Sequence, residues 1–146
     1  WITLAIPELL EMLDLDEHDA VYRQLQNTLQ IQVAALARCQ SDNGLWPTLL
    51  NEPDSYLEAS ATAGFAAGIF KAIRLGYLDA DYLPVAERAC EGIIDHISPQ
   101  GELLQVSFGT AMGHDLDHYR HIPLTAMPYG QAMAMLCLVE ALHRTL

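Results

Sequence analysis

The stretch "SYLEASATAGFAAGIFKAIRLGYLD", residues 55–79, decides the fold. It carries no charged residue from Ala59 to Phe70, so a helix formed here lacks the polar face that a surface helix needs. A membrane span needs about 20 consecutive apolar residues, which this run does not supply. Its alanines, with Gly64 and Gly68, allow neighbouring helices to approach closely. The stretch therefore predicts a buried helix over residues 57–76, packed among other helices.

Composition limits the classes of protein and of partner. The 146 residues are 51% hydrophobic, with a mean hydropathy of +0.14, which predicts one domain, residues 1–146, with a substantial core. Seven basic and 19 acidic residues give a net charge of −12, which argues against nucleic acid or a membrane surface as partner. The three cysteines are widely spaced in helical patterns, and no signal peptide is visible, so we expect a cytoplasmic protein without disulfides.

Hydrophobic periodicity predicts an all-α fold of five helices and almost no strand. The predicted helical segments are residues 1–13, 19–40, 57–76, 82–97 and 129–143. Residues 57–76 and 129–143 are apolar almost all round, whereas residues 19–40 and 82–97 are apolar on one side. Their alternation predicts an inner row of helices, more buried, covered by an outer row. An ordinary crowded bundle is the alternative.

The connections between these helices differ systematically in length. Short links, residues 14–18 and 77–81, lead from inner to outer helices, and long links lead back. The long links, "CQSDNGLWPTLL" and "ISPQGELLQVSF" onward, resemble a degenerate repeat that turns at Gly44 or Gly101 and continues into an extended stretch. Because both emerge where inner helices begin, that end is the expected functional face.

Several segments carry a family resemblance. In chain order they are "DNGLW", "DSYLEASATAGFAAGIFKAIRLGYLD", "YLPVAERACEGI", "GELLQVSFGT" and "PYGQAMAMLCLVEAL". They resemble the C-terminal half of the unsaturated rhamnogalacturonyl hydrolases, which are family 105 glycoside hydrolases related to the unsaturated glucuronyl hydrolases of family 88. The resemblance implies an α/α toroid of six hairpins, of which this chain supplies about five helices.

The resemblance also implies a reaction. Its substrate is a small carbohydrate, a disaccharide left by a pectin lyase whose terminal sugar is a 4,5-unsaturated uronic acid. An aspartic acid protonates the double bond, water adds at the neighbouring carbon, and the resulting hemiketal collapses. No cofactor or metal is implied. The family's aspartic acid precedes the matched region, and Trp1 aligns with the tryptophan that ends its Arg-Gly-x-Gly-Trp segment. We therefore expect no catalytic residue in this chain and inactivity without an N-terminal half.

Six residues are candidates for substrate binding: Trp1, Trp46, Glu58, His118, Tyr119 and Tyr129. Trp1 either lines the sugar site, as the resemblance implies, or is a core aromatic. Trp46 either forms a wall of the cleft or packs within its loop. Ser55-x-x-Glu58 predicts a capping box, with a cleft-facing acid as the alternative. Trp46, Glu58 and Tyr129 are expected at the same end of the fold.

The segment "GHDLDHYRH", residues 113–121, contains possible zinc ligands. It lies in a predicted loop and matches no zinc spacing, so no metal site is predicted there. Hydrogen bonding to substrate through His118 and Tyr119, or a solvated loop, are the other interpretations.

Two different functions stay open. One is a non-enzymatic helical-repeat module that binds a protein through its loop face. The other is a different α/α-toroid carbohydrate enzyme, such as a lyase or a sugar epimerase. An aspartate-bearing helix and an Arg-Gly-x-Gly run before Trp1 would favour the hydrolase.

Overall fold

The computed structural model describes residues 1–144, and this part of the chain folds mainly into α-helices. The helices are α1 (Ile2–Leu13), α2 (Ala20–Cys39), α3 (Ala59–Arg74), α4 (Leu83–Asp95), α5 (Leu116–Arg120) and α6 (Pro128–Leu142). Four strands of two residues each are β1 (Trp46–Pro47), β2 (Leu57–Glu58), β3 (Val106–Ser107) and β4 (Leu124–Thr125). All five predicted helices are present. The short helix α5 lies where a loop was predicted.

Helix α3 is the centre of the fold and packs against α1, α4 and α6. Twelve of its sixteen residues are buried, as the absence of charge from Ala59 to Phe70 predicts. Gly68 is required for the contact with α1, because an added Cβ would lie 2.2 Å from the carbonyl oxygen of Thr3. The helix begins at Ala59 rather than at residue 57, since Leu57 and Glu58 form a strand that pairs with β1.

The helices lie in two rows, in the order that the alternation predicts. Helices α1, α3 and α6 stand side by side as the inner row, α2 covers α1, and α4 covers α3 and α6. The buried side of α2 is the stripe formed by Leu29, Val33 and Leu36, and its other faces are mainly polar. Among the helices of residues 1–144, none is long and apolar enough to cross a membrane.

The predicted burial of α6 is wrong. Four of its fifteen residues are buried, against six of thirteen in the outer helix α4. Helix α6 is at one edge of the inner row, so the described residues cover only the side that faces α3 and α4. The other side exposes large apolar residues, namely Met135, Leu136, Val139 and Leu142. Helix α6 is therefore apolar on all sides but buried on only one of them.

The two long connections share one hydrogen-bonding pattern, which confirms the predicted repeat. In the first, the amide of Gly44 donates to the carbonyl of Ser41, and in the second Gly101 donates to Ser98. The residues that follow these turns are then fastened to the fourth residue of the next inner helix. Trp46 N–H donates to Thr62 Oγ1 at 3.1 Å, and Leu103 N–H donates to Gln131 Oε1 at 2.8 Å. Each long connection is thus anchored above the start of an inner helix.

Ion pairs fasten α3 to both inner neighbours. The nearly buried Nζ of Lys71 lies 2.6 Å from a carboxylate oxygen of Glu8 and 2.7 Å from one of Glu11, both on α1. Arg74 makes a two-pronged pair with Glu140 on α6. Burial disfavours the charged form of Lys71, but the hydrogen bonds and charges of Glu11 and Glu8 outweigh it, so its pKa is raised.

Candidate functional site

A cleft of about 570 Å³ opens at the end of the fold where the long connections emerge. It is lined by the start of α1, both long connections and the first turns of α3 and α6. Five of the six candidate residues line it: Trp1, Trp46, Glu58, Tyr119 and Tyr129. The prediction that Trp46, Glu58 and Tyr129 lie at one end is confirmed. The sixth candidate, His118, lines a neighbouring cavity instead.

The predicted capping box at Ser55 and Glu58 is wrong, because Glu58 is itself the N-cap of α3. Its Oε2 accepts a hydrogen bond from the amide of Ala61 at 2.5 Å. Ser55 lies outside the helix, and its hydroxyl donates to the carbonyl of Glu52 at 2.8 Å. The strand formed by Leu57 and Glu58 delays the start of the helix, so the cap position falls on the glutamate.

Glu58 faces the cleft and is firmly held there. Its side chain accepts three hydrogen bonds: from Ala61 N–H, from Ser60 Oγ at 2.8 Å and from Ser107 N–H at 2.9 Å. The residue is only 5% exposed, and among the described residues that line the cleft it is the only carboxylate. With its oxygens engaged as acceptors, this side chain is poorly placed to deliver a proton to a ligand.

Ser107 joins the parts of the cleft and was missed by sequence reasoning. Besides donating to Glu58, it accepts a hydrogen bond from Tyr129 through its carbonyl oxygen. Its hydroxyl lies 2.9 Å from the phenol oxygen of Tyr56. Burial, followed by the negative charge of Glu58, raises the pKa of Tyr129 above its ordinary value of 10.0. The phenol therefore stays protonated at neutral pH and keeps its bond to the second long connection.

The two tryptophans that line the cleft differ in how far they are exposed to solvent. Trp46 is 1% exposed, donates its indole N–H to the carbonyl of Leu36 at 2.8 Å and meets the Phe65 ring edge to face at 5.3 Å. Trp46 forms part of the cleft wall, as the first interpretation holds, but it packs against α2 and α3 rather than within its own loop. Trp1 is 78% exposed, so it is not part of the core that the described residues form. Its indole is a solvent-facing surface at the mouth of the cleft.

The histidine-rich segment forms helix α5 where a loop was predicted. Asp115 caps this helix by accepting from the amide of His118 at 3.0 Å, and five residues are too few to produce a helical period in a sequence window. Tyr119 turns toward the cleft, with its phenol oxygen accepting from the amide of Gly113 at 3.0 Å. Within residues 1–144, no three or more His, Cys, Asp and Glu side chains are arranged to hold a metal ion.

The cleft has the chemistry of a site for a small molecule with polar groups. Its walls are mainly aromatic and apolar, and its few polar groups are the hydroxyl, amide and carboxylate groups described above. Inner and outer helices alternate along the chain, and the cleft lies at the end where the loops emerge. This arrangement is typical of all-α toroid proteins, and the chain forms one part of such a toroid. The sequence model of Glycosyl Hydrolase Family 88 matches residues 1–145, and the chain belongs to that family.

Individual proteins that are similar to this chain are glycoside hydrolases or possible members of a glycoside hydrolase family. The chain is 29% identical over 143 residues to the unsaturated rhamnogalacturonyl hydrolase YesR of Bacillus subtilis (strain 168), covering 97% of this chain and 39% of that protein. A possible member of the GH105 family from Salmonella enterica subsp. enterica serovar Paratyphi A is 64% identical, with a TM-score of 0.98. A similar protein from Klebsiella pneumoniae subsp. pneumoniae is 62% identical, again with a TM-score of 0.98. The two structures match 100% of this chain, which spans 39% and 38% of theirs.

Proposed function

We propose that this chain forms the sugar-binding side of a glycoside hydrolase that acts on unsaturated uronyl disaccharides derived from pectin. The observation that carries the proposal is the convergence of Trp1, Trp46, Glu58, Tyr119 and Tyr129 on one cleft. The similarity to an unsaturated rhamnogalacturonyl hydrolase supports the choice of substrate. A protein-binding module would have no need for a concave aromatic cleft with a fixed carboxylate at its wall.

The proposed reaction divides the work between this chain and an N-terminal half of the same protein. An aspartic acid from that half protonates the double bond of the uronic acid, water adds at the neighbouring carbon, and collapse of the hemiketal releases the keto-sugar. Two features of this chain support the division. Glu58 is the only carboxylate among the described residues of the cleft, and its oxygens already accept three hydrogen bonds.

Within the cleft, the aromatic residues hold the sugar and Glu58 orients it. The exposed indole of Trp1 provides a flat surface for the apolar face of a sugar ring. The carboxylate of Glu58 would repel the carboxylate of the uronic acid, so the acceptor position that its three hydrogen bonds leave free takes a sugar hydroxyl group instead. The uronic carboxylate therefore points away from α3, toward donors that the N-terminal half supplies.

The same N-terminal half would cover the apolar sides of α1 and α6. Helix α1 exposes Ile2, Leu9, Met12 and Leu13, and α6 exposes an apolar side of similar size. These two helices are the opposite edges of the inner row. Closing the ring against both edges would bury surfaces that are unusually apolar for a soluble protein.

Turnover of a defined disaccharide tests the proposal. The longer polypeptide that contains this chain should convert unsaturated galacturonyl-rhamnose to a keto-sugar, with loss of the ultraviolet absorbance of the double bond. Trp1→Ala should lower kcat/KM roughly fivefold to tenfold, the range expected for losing an aromatic contact, while Trp1→Phe should retain most of it. Circular dichroism serves as the control for folding. Absence of turnover in the unaltered polypeptide would refute the proposal and favour a binding module.

A further inference from the structure

The segment between β3 and β4 lies on the surface and brings Tyr119 to the cleft. Its base is closed by the pairing of the two strands and by the amide of Phe108, which donates to the carbonyl of Pro123 at 2.8 Å. Of residues 110–121, all except Gly113 and Tyr119 are exposed. Because so little of this segment is buried, the position of Tyr119 depends on specific polar contacts.

A single residue of the segment, Arg120, makes the polar contacts with the rest of the fold. Within the described part of the chain, its hydrogen bonds to Glu52 are the only ones that join residues 110–121 to the remaining residues. Two nitrogens of the guanidinium donate to the two carboxylate oxygens of Glu52, both at 2.8 Å. A two-pronged pair of this kind fixes orientation as well as distance.

Glu52 is a fixed anchor in the first long connection. Its amide donates to the carbonyl of Leu49 at 2.8 Å, and its own carbonyl accepts from the amide of Ser55 at 2.9 Å and from the Ser55 hydroxyl at 2.8 Å. Adjacent residues of a helix point about 100° apart. Holding Arg120 against this anchor therefore also sets the direction in which α5 presents Tyr119.

We propose that Arg120 and Glu52 form a latch that positions Tyr119 for the sugar in the cleft. Both are positioning residues, because neither lines the cleft and their effect on the substrate passes through Tyr119. The proposal rests on the proposed function, in which the aromatic residues of the cleft hold the sugar. When the latch is broken, α5 has no hydrogen bond to the first long connection, so Tyr119 loses its fixed place and the affinity for the sugar falls.

Steady-state kinetics on the unsaturated disaccharide, with the longer polypeptide that contains this chain, test the latch. Arg120→Gln and Glu52→Gln should each raise KM roughly threefold to fivefold with kcat unchanged, and the double variant should raise KM no further. In a Tyr119→Ala background, Arg120→Gln should have no additional effect. An increase of the same size with and without Tyr119 would overturn the proposal, because Arg120 would then act by another route.

Hydrogen exchange gives a second measurement that needs no substrate. The amide of Gly113 donates to the phenol oxygen of Tyr119 at 3.0 Å, so this amide should exchange faster in Arg120→Gln. The matched control is Arg74→Gln, which breaks the two-pronged pair with Glu140 and lies outside the cleft. This control should lower Tm but leave KM and the exchange at Gly113 unchanged.

The outcomes separate this inference from the proposed function. If the disaccharide is turned over, an unchanged KM or an unchanged exchange rate at Gly113 in Arg120→Gln overturns the latch and leaves the proposed function standing. If the unaltered polypeptide does not turn over the disaccharide, the proposed function fails and the positioning role fails with it.

Discussion

Replacing Gly68 by alanine should force the two inner helices α1 and α3 apart. The new Cβ would lie 2.2 Å from the carbonyl oxygen and 2.6 Å from the carbonyl carbon of Thr3, where ordinary contacts begin at 3.4 Å. These atoms belong to the main chain of α1, so no side-chain rotation can relieve the clash. Helix α1 must move away from α3 by roughly 1 Å. That shift also lengthens the ion pairs of Lys71 with Glu8 and Glu11.

The magnitude follows from two opposing terms. Overpacking against main chain costs about 3 kcal/mol, at the upper end of the usual range, while alanine is favoured over glycine in a helix by about 1 kcal/mol. The net loss is therefore about 2 kcal/mol, and the fall in Tm that it causes becomes smaller as the folding unit becomes larger. Gly64→Ala is the matched control, because its added Cβ meets only the flexible Met133 side chain, at 3.4 Å.

Thermal unfolding followed by circular dichroism, on the longer polypeptide that contains this chain, measures both variants. We expect a lower Tm for Gly68→Ala and an unchanged or higher Tm for Gly64→Ala. Equal shifts in the two variants would refute the reasoning, because helix propensity alone would then account for the data and the close approach at Thr3 would carry no weight.

Three further predictions concern the cap, the ion pairs and metal dependence. Glu58→Ala should reduce stability by about 2–3 kcal/mol in denaturant titration, because it removes the cap of α3 and leaves the buried amide of Ser107 without its acceptor; Glu58→Gln, which keeps one acceptor oxygen, should lose less. The hydrogen bond and charge of Lys71 lower the pKa of Glu11, so the stability from this pair is present above the ordinary value of 4.5 and is lost as pH falls toward the lowered pKa. Lys71→Met should flatten that acid dependence, and an unchanged slope would contradict the assignment. Treatment with EDTA should leave turnover unchanged; a loss that zinc restores would revive the histidine-rich segment as a metal site.

The sequence predicts those parts of the fold that depend on local pattern. The uncharged run from Ala59 to Phe70 identifies α3 as the innermost helix because its composition allows no other placement. The turns at Gly44 and Gly101 were predictable because a positive φ, 85° at both, favours glycine. The unequal lengths of the connections correctly predict the end at which the cleft lies, because the long connections form much of its lining.

Features that depend on distant residues were beyond the sequence. Ser107 meets Glu58 across 49 positions, and nothing in "QVSFG" marks that contact. The exposure of α6 depends on which helices stand beside it, not on its own composition. The cap at Glu58 depends on the pairing of Leu57 and Glu58 with β1, which local capping rules do not include. Interactions between residues close in sequence thus determine the helices and turns, whereas contacts between distant residues determine the geometry of the cleft.

The most direct test of the account measures the ultraviolet absorbance of unsaturated galacturonyl-rhamnose mixed with three purified samples. These are residues 1–146 alone, the longer polypeptide that contains them, and residues 1–146 recombined with the preceding half. The account predicts no loss of absorbance with residues 1–146 alone, loss with the longer polypeptide, and at least partial recovery on recombination. Steady loss of absorbance with residues 1–146 alone would contradict it, because a carboxylate of this chain would then be the catalytic acid.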